Sequence, residues 1–147
     1  MIQVSLVTPE LLDSMWPLVE GHLAKSAAYT YGRYTVDDIR DTLTDYDHHL
    51  WIAFDGSGVK GAVVTNVVIY PRKKCLGMIF CGGVNVDEWK NPMIAILQAW
   101  AFDQGCDSIE CTGRPGWVKI LKGNGHSAAW HTFEIPAGTA GLGERHG

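Results

Sequence analysis

The stretch from Leu76 to Leu121 constrains the fold more than any other part of the chain. It opens with LGMIFCGGVNV, a continuous apolar run carrying Gly82 and Gly83 near its end. Such a run reads as a buried strand, and the glycines point to a bulge or a close backbone approach. A helix is expected next, with Asn91 as cap, Pro92 at the first helical position, and Met93, Ile96, Leu97, Trp100 and Ala101 on one apolar face. Gln104-Gly105 closes it, and Ser108-Ile109-Glu110-Cys111 reads as a second strand. Strand, helix and strand in this order make a right-handed parallel unit, and ligands of open α/β sheets sit at the carboxyl ends of such strands. A site is therefore expected between Gly82 and Met93.

The flanking chain supplies the rest of a sheet. Ile2 to Val7 alternates with period two, as a half-buried strand does. Thr8 and Pro9 then mark the start of a helix expected to reach about Ala24, with Leu12, Met15, Trp16, Val19 and Leu23 inward and Pro17 kinking it or ending its first segment. Ser26 to Tyr34 has no period and reads as a loop whose tyrosines, Tyr29, Tyr31 and Tyr34, either pack on the sheet or wall a substrate. Thr35-x-x-Asp38 has the pattern of a capping box for a short helix. Leu50–Phe54 and Gly61–Tyr70 read as strands joined by Asp55-Gly56-Ser57-Gly58, a hairpin signal. With the run from Cys75 they form an antiparallel meander. Beyond Cys111, the chain reads as a turn, a short helix from Trp117 with Trp117 buried, and a last strand from about Ser127 to Ile135. The expected organisation is one domain over residues 1–135 and a glycine-rich tail over 136–147.

Composition narrows the function. A formal charge of −4 and no basic run longer than Arg72-Lys73-Lys74 leave no electropositive footprint for nucleic acid. No stretch approaches the ~20 apolar residues of a membrane span, so a cytoplasmic protein is expected. Cys75, Cys81, Cys106 and Cys111 form no C-x-x-C pair and read as reduced core thiols, and His48-His49 as a solvated turn, so no metal site is expected.

The element order β-α-α-β-β-β-α-β-α-β resembles the GNAT superfamily of acyl-CoA-dependent N-acyltransferases. The resemblance rests on the apolar strand ending in Val84-Asn85-Val86, the amphipathic helix after it, and Arg114-Pro115-Gly116-Trp117-Val118-Lys119-Ile120-Leu121 followed by Gly125. That last run is similar to the R-x-G-W-x-x-x-L-x-x-x-G run of small GNAT-like proteins of tailed phages. The fold implied is α/β (α+β): a mixed, mostly antiparallel sheet with a central splayed parallel strand pair and flanking helices. The cofactor implied is acetyl-CoA or another acyl-CoA, with pantetheine between the two parallel strands and pyrophosphate at the start of the crossover helix. Backbone groups of Val84, Asn85 and Val86 would hold the arm, and Lys90, Asn91 and Met93 would meet the phosphates. A strand amide would polarise the thioester carbonyl.

The sequence also departs from the family. Its phosphate loop carries Q/R-x-x-G-x-G/A, whereas Asp87-Glu88-Trp89-Lys90-Asn91-Pro92-Met93 has no glycine and adds two carboxylates. Leu121 stands where the family often has a proton-donating tyrosine. Glu110 and His126 are the candidate acid–base residues, with His131 a further histidine on the last expected strand. Two functions follow: an N-acyltransferase acting on a small-molecule or protein amine, or a catalytically inactive GNAT-fold protein that binds a protein partner, as a phage virion component would.

Overall fold

The computed structural model describes residues 1–112, Leu121 and residues 133–138. Its elements are β1 (Gln3–Val7), a 3-10 turn (Pro9–Leu11), α1 (Leu12–Ala27), α2 (Val36–Thr42), β2 (His48–Asp55), β3 (Gly58–Ile69), β4 (Lys74–Gly83), α3 (Val86–Asp103) and β5 (Ser108–Cys111). The strands form one sheet in the order β1-β2-β3-β4-β5, antiparallel throughout except for the parallel pair β4–β5. This is the mixed, mostly antiparallel architecture expected. The short helix from Trp117, with His126 and His131, lies outside the described residues, as does most of the last expected strand; residues 133–135 are not strand.

Strand alternation sorts the core onto two faces of the sheet. Leu50, Ile52, Ala62, Val64 and Phe80 meet Trp16, Val19, Leu23 and Ile39 from α1 and α2. Trp51, Ala53, Val63, Leu76 and Met78 meet Trp89, Met93, Leu97 and Ala101 from α3. Local chemistry fixes the connections. Thr35 and Asp38 exchange side-chain hydrogen bonds with each other's backbone N–H, the reciprocal capping box expected for α2. Asp55 Oδ1 accepts from the Ser57 N–H and hydroxyl, closing the two-residue β2–β3 turn.

Several element boundaries differ from expectation. Thr8 and Pro9 start the 3-10 turn, not the α-helix, and α1 runs unbroken past Pro17 to Ala27. His48 and His49 are not a turn; they open β2, paired with Asn66 and Thr65. The bulge on β4 is at Ile79, where the β3 partner shifts between Val64 and Thr65, and not at the glycines, which stay in register with Ala62 and Gly61. Most consequentially, α3 begins at Val86, with Asn85 in the left-handed region (φ 51°) before it, and Pro92 lies inside the helix. An interior proline costs about 3 kcal/mol. Burial of the Trp89 indole, 2% exposed, on the sheet holds the earlier turn helical against that cost.

Candidate functional site

The parallel pairing of β4 and β5 ends at Met78–Cys111, while β4 continues through Ile79 to Gly83. Among the described residues, this last half of β4 has a strand partner on one side only, β3. The Ile79 bulge falls at the point of separation and adds local twist to β4. Among the described residues, β4 and β5 therefore part at their carboxyl ends.

Which main-chain groups face the gap follows from the ladder. Val84 N–H donates to Lys60 O at 2.9 Å, so in the antiparallel alternation Gly83 and Cys81 turn their N–H and C=O groups away from β3, toward the β5 side. The Cys81 N–H is engaged there, by Ser26 Oγ from the last turn of α1 at 3.2 Å. The α1–α2 loop borders the same region: Tyr34 places its ring edge-on to Phe80 at 4.9 Å, while Tyr29 and Tyr31 are exposed. Tyr34 thus packs as expected and Tyr31, 81% exposed, does not. Arg33 pairs with Glu134 at 2.5 Å, tying residues 133–138 to this loop.

Glycines at the end of β4 serve close approach. A Cβ at Gly82 would stand 1.9 Å from the His22 carbonyl oxygen, so α1 crosses the strand directly above it. Cβ atoms at Gly61 and Gly83 would stand 2.4 and 2.8 Å from the Trp89 ring, which lies across both and donates from Nε1 to Val84 O at 2.9 Å. Both Val84 backbone groups are therefore used within the chain, and the main-chain groups turned to the gap are those of Cys81 and Gly83. Asn85 and Val86 form the junction into α3.

The phosphate-contact expectation is corrected in part by the true start of α3. Lys90, Asn91 and Met93 lie one to two turns inside the helix. Met93 is 1% exposed in the core beneath the sheet, and Lys90 stands 3.8 Å from the Asp87 carboxylate. The helix N-terminus is the first turn from Val86, where unpaired N–H groups and the helix dipole favour an anion. Its first-turn side chains, Asp87 and Glu88, carry the opposite preference.

Of the acid–base candidates, His126 lies outside the described residues. Glu110 pairs in register with Gly77, one step before the splay, and both its carboxylate oxygens accept from the Tyr70 hydroxyl, at 2.9 and 2.7 Å. That bond pushes the Tyr70 phenol up to about 12. Tyr70 follows β3 at the closed end of the strand pair, so Glu110 is held away from the gap. Cys111 sits at the mouth, exposed and not in the core as expected, its thiol 3.4 Å from Met78 Sδ and pushed up to about 11 by desolvation and then by Glu110. Burial, then His48, lowers the pKa of His49, whose Nδ1 lies 3.1 Å from Thr65 Oγ1. A cavity of about 370 Å³ lined by Tyr46, Asp47, His48, His49, Asn66, Val67 and Ile69 also lies at the closed end and shares no residue with the gap. Among the described residues no group of three His, Cys, Asp or Glu is placed to hold a metal.

An acyl-CoA can be tested against these groups. The open half of β4 presents an extended edge suited to a strand-like arm, and the α3 N-terminus presents main-chain donors to a diphosphate. The fit is good for the thioester arm, and the first-turn carboxylates weaken it for the diphosphate. Sequence reading missed Ser26 and Trp89 in this arrangement. For Trp89 a signal existed, since a large apolar residue follows two glycines that a strand leaves uncovered. For Ser26, among small residues before a loop, there was none.

No family model matches the chain, and no curated protein matches it in sequence. Solved structures match its fold. A ribosomal-protein-alanine N-acetyltransferase from Brucella melitensis biovar Abortus 2308 superposes with a TM-score of 0.69 at 16% identity, covering 94% of this chain and 100% of that one. An aminoglycoside acetyltransferase from an uncultured soil metagenomic sample, HMB0005, gives 0.68 at 12% identity over 94% and 99% of the two chains. The aminoglycoside N-acetyltransferase AAC(6')-Iy, in complex with CoA, gives 0.66 at 12% identity over 92% and 94%. The chain thus has the fold of the GNAT acetyltransferases.

Proposed function

We propose that this protein is a GNAT-type N-acyltransferase that moves an acyl group, acetyl in the simplest case, from acyl-CoA to a primary amine of a small molecule or protein. The observation that carries this reading is the parting of β4 and β5 after Met78–Cys111, which among the described residues leaves the second half of β4 without a β5 partner beside the N-terminus of α3. Support also comes from the acetyltransferase structures that share the fold, one of them in complex with CoA. In the reaction, the amine nitrogen bonds to the acyl carbon, the carbon–sulfur bond breaks, and a proton lost from nitrogen ends on the thiol. An acyl-CoA supplies the activated acyl group and the thiol leaving group. Of this chain's groups, Cys81 and Gly83 border the arm, the Val86–Asp87 amides face the phosphates, and the α1–α2 loop with Tyr34 walls the side from which an acceptor approaches.

A second reading, a GNAT-fold binding or virion protein without chemistry, draws on one specific observation: the first turn of α3 meets a diphosphate with Asp87 and Glu88. Isothermal titration with acetyl-CoA, with thermal melting alongside, separates the two. Saturation at about 100 times the dissociation constant would stabilise the fold by about 2.7 kcal/mol, a melting shift of several degrees. No heat and no shift at millimolar acetyl-CoA would remove the acyltransferase reading.

A further inference from the structure

We infer that Ser26 is the hydrogen-bond donor that meets the acyl carbonyl in the β4–β5 gap, standing in for the strand amide that it covers. This rests on the acyltransferase reading above and adds a residue to it. The alternation of the β3–β4 ladder turns the Cys81 N–H toward the open side of β4, past the last β5 pair. In most strand-edge sites such an amide would be the donor for an incoming carbonyl. Here it already donates to Ser26 Oγ at 3.2 Å. A carbonyl entering the gap therefore meets the serine first.

The serine is placed for that task on two counts. Its oxygen accepts from Cys81, and the hydroxyl proton has no other partner among the described residues, including the carbonyl one helical turn back, which serine in a helix commonly bonds. An N–H···O–H chain also polarises the terminal O–H, making it a better donor than an isolated hydroxyl. The position is rigid. Gly82 lets the α1 backbone lie on β4 at His22, so the last turn of α1 cannot drift from the strand without lifting the whole helix. Ser26 belongs to that last turn and is half-buried between Ala27, in the core, and the exposed loop.

The test uses binding, not turnover, and two probes that differ only in the carbonyl: acetyl-CoA and CoA. Titration calorimetry on the full chain compares the parent with Ser26→Ala and Ser26→Thr. The expected result is a roughly 2- to 10-fold loss of acetyl-CoA affinity in Ser26→Ala, little change for CoA, and recovery of acetyl-CoA affinity in Ser26→Thr. Equal weakening toward both probes would assign Ser26 a structural role and overturn the inference. Tighter acetyl-CoA binding in Ser26→Ala would also overturn it, by showing that the serine blocks the amide. A ligand-free arm tests the hydrogen bond itself: Cys81 amide exchange should accelerate in Ser26→Ala and stay slow in Ser26→Thr, and unchanged exchange in Ser26→Ala sinks the inference even if the acyltransferase reading survives. If the parent binds neither probe, both readings fall together.

Discussion

The two halves of β4 are built differently. From Cys75 to Met78 the strand is paired on both edges, and its flanks are tied by polar contacts: Lys74 N–H to Asp107, Cys75 to Ser108, and Tyr70 to Glu110. From Ile79 to Gly83, among the described residues, it pairs with β3 alone, and it is held from above and below, by α1 at Gly82 and by the Trp89 ring at Gly83. The closed half is stabilised in the plane of the sheet, and the open half by packing across it. That division leaves an edge open without leaving the strand loose. It teaches that a strand end paired on one edge needs compensating contacts on its faces, since it otherwise frays.

The comparison is broken most severely at Trp89. Trp89→Ala removes a fully buried ring and its bond to Val84 O, leaves a cavity over Gly61 and Gly83, and should cost about 3–5 kcal/mol in chemical denaturation. A cost below about 1 kcal/mol would show that the open half does not depend on packing from below. Gly82→Ala attacks the same half from above. Its new methyl would overlap the His22 carbonyl, a backbone atom that cannot step aside, so destabilisation of about 1–3 kcal/mol or more is expected, with faster amide exchange in β4 beyond Met78.

Charge at the gap is the next lever. If Asp87 and Glu88 oppose a diphosphate, the double variant Asp87→Asn with Glu88→Gln should bind acetyl-CoA several-fold more tightly at low ionic strength, each first-turn charge being worth about 0.3–1 kcal/mol. The advantage should shrink as salt rises. Equal affinity at low salt would place the phosphates elsewhere.

At the closed half the effect is smallest. Tyr70→Phe removes the hydroxyl's bond to the Glu110 carboxylate at a partly exposed site and should leave both the denaturation midpoint and the acetyl-CoA affinity nearly unchanged. The sign of its pH dependence is fixed. Glu110 raises the phenol's folded value to about 12, above the ~10 of an unfolded tyrosine, so the contribution is present below pH ~10 and is lost as pH climbs toward 12. Ultraviolet titration of the folded protein should show a phenol titrating near 12 that the variant lacks.

Short-range rules account for the part of the fold that is legible in the amino-acid order. The Thr35/Asp38 capping box, the Asp55–Gly58 hairpin and the strand–helix–strand order rest on such rules, and each is present as expected. The bounds of β5, Ser108–Cys111, are likewise legible, because turn residues flank it. The site was legible only as a region. Asn91-Pro92 is a sound local start for a helix, yet α3 begins at Val86, since Trp89 finds Gly61 and Gly83 across the sheet and residues 86–90 gain more from helix than from loop. The double glycine locally signals a bulge or a close backbone approach; the bulge falls at Ile79, and the glycines serve the close approach of a helix and an indole. Ser26 meets Cys81 across 55 positions of sequence. Tertiary structure alone decided these three points, because each depends on which backbone lies against which, and no local pattern carries the distance between segments that only the folded sheet brings together.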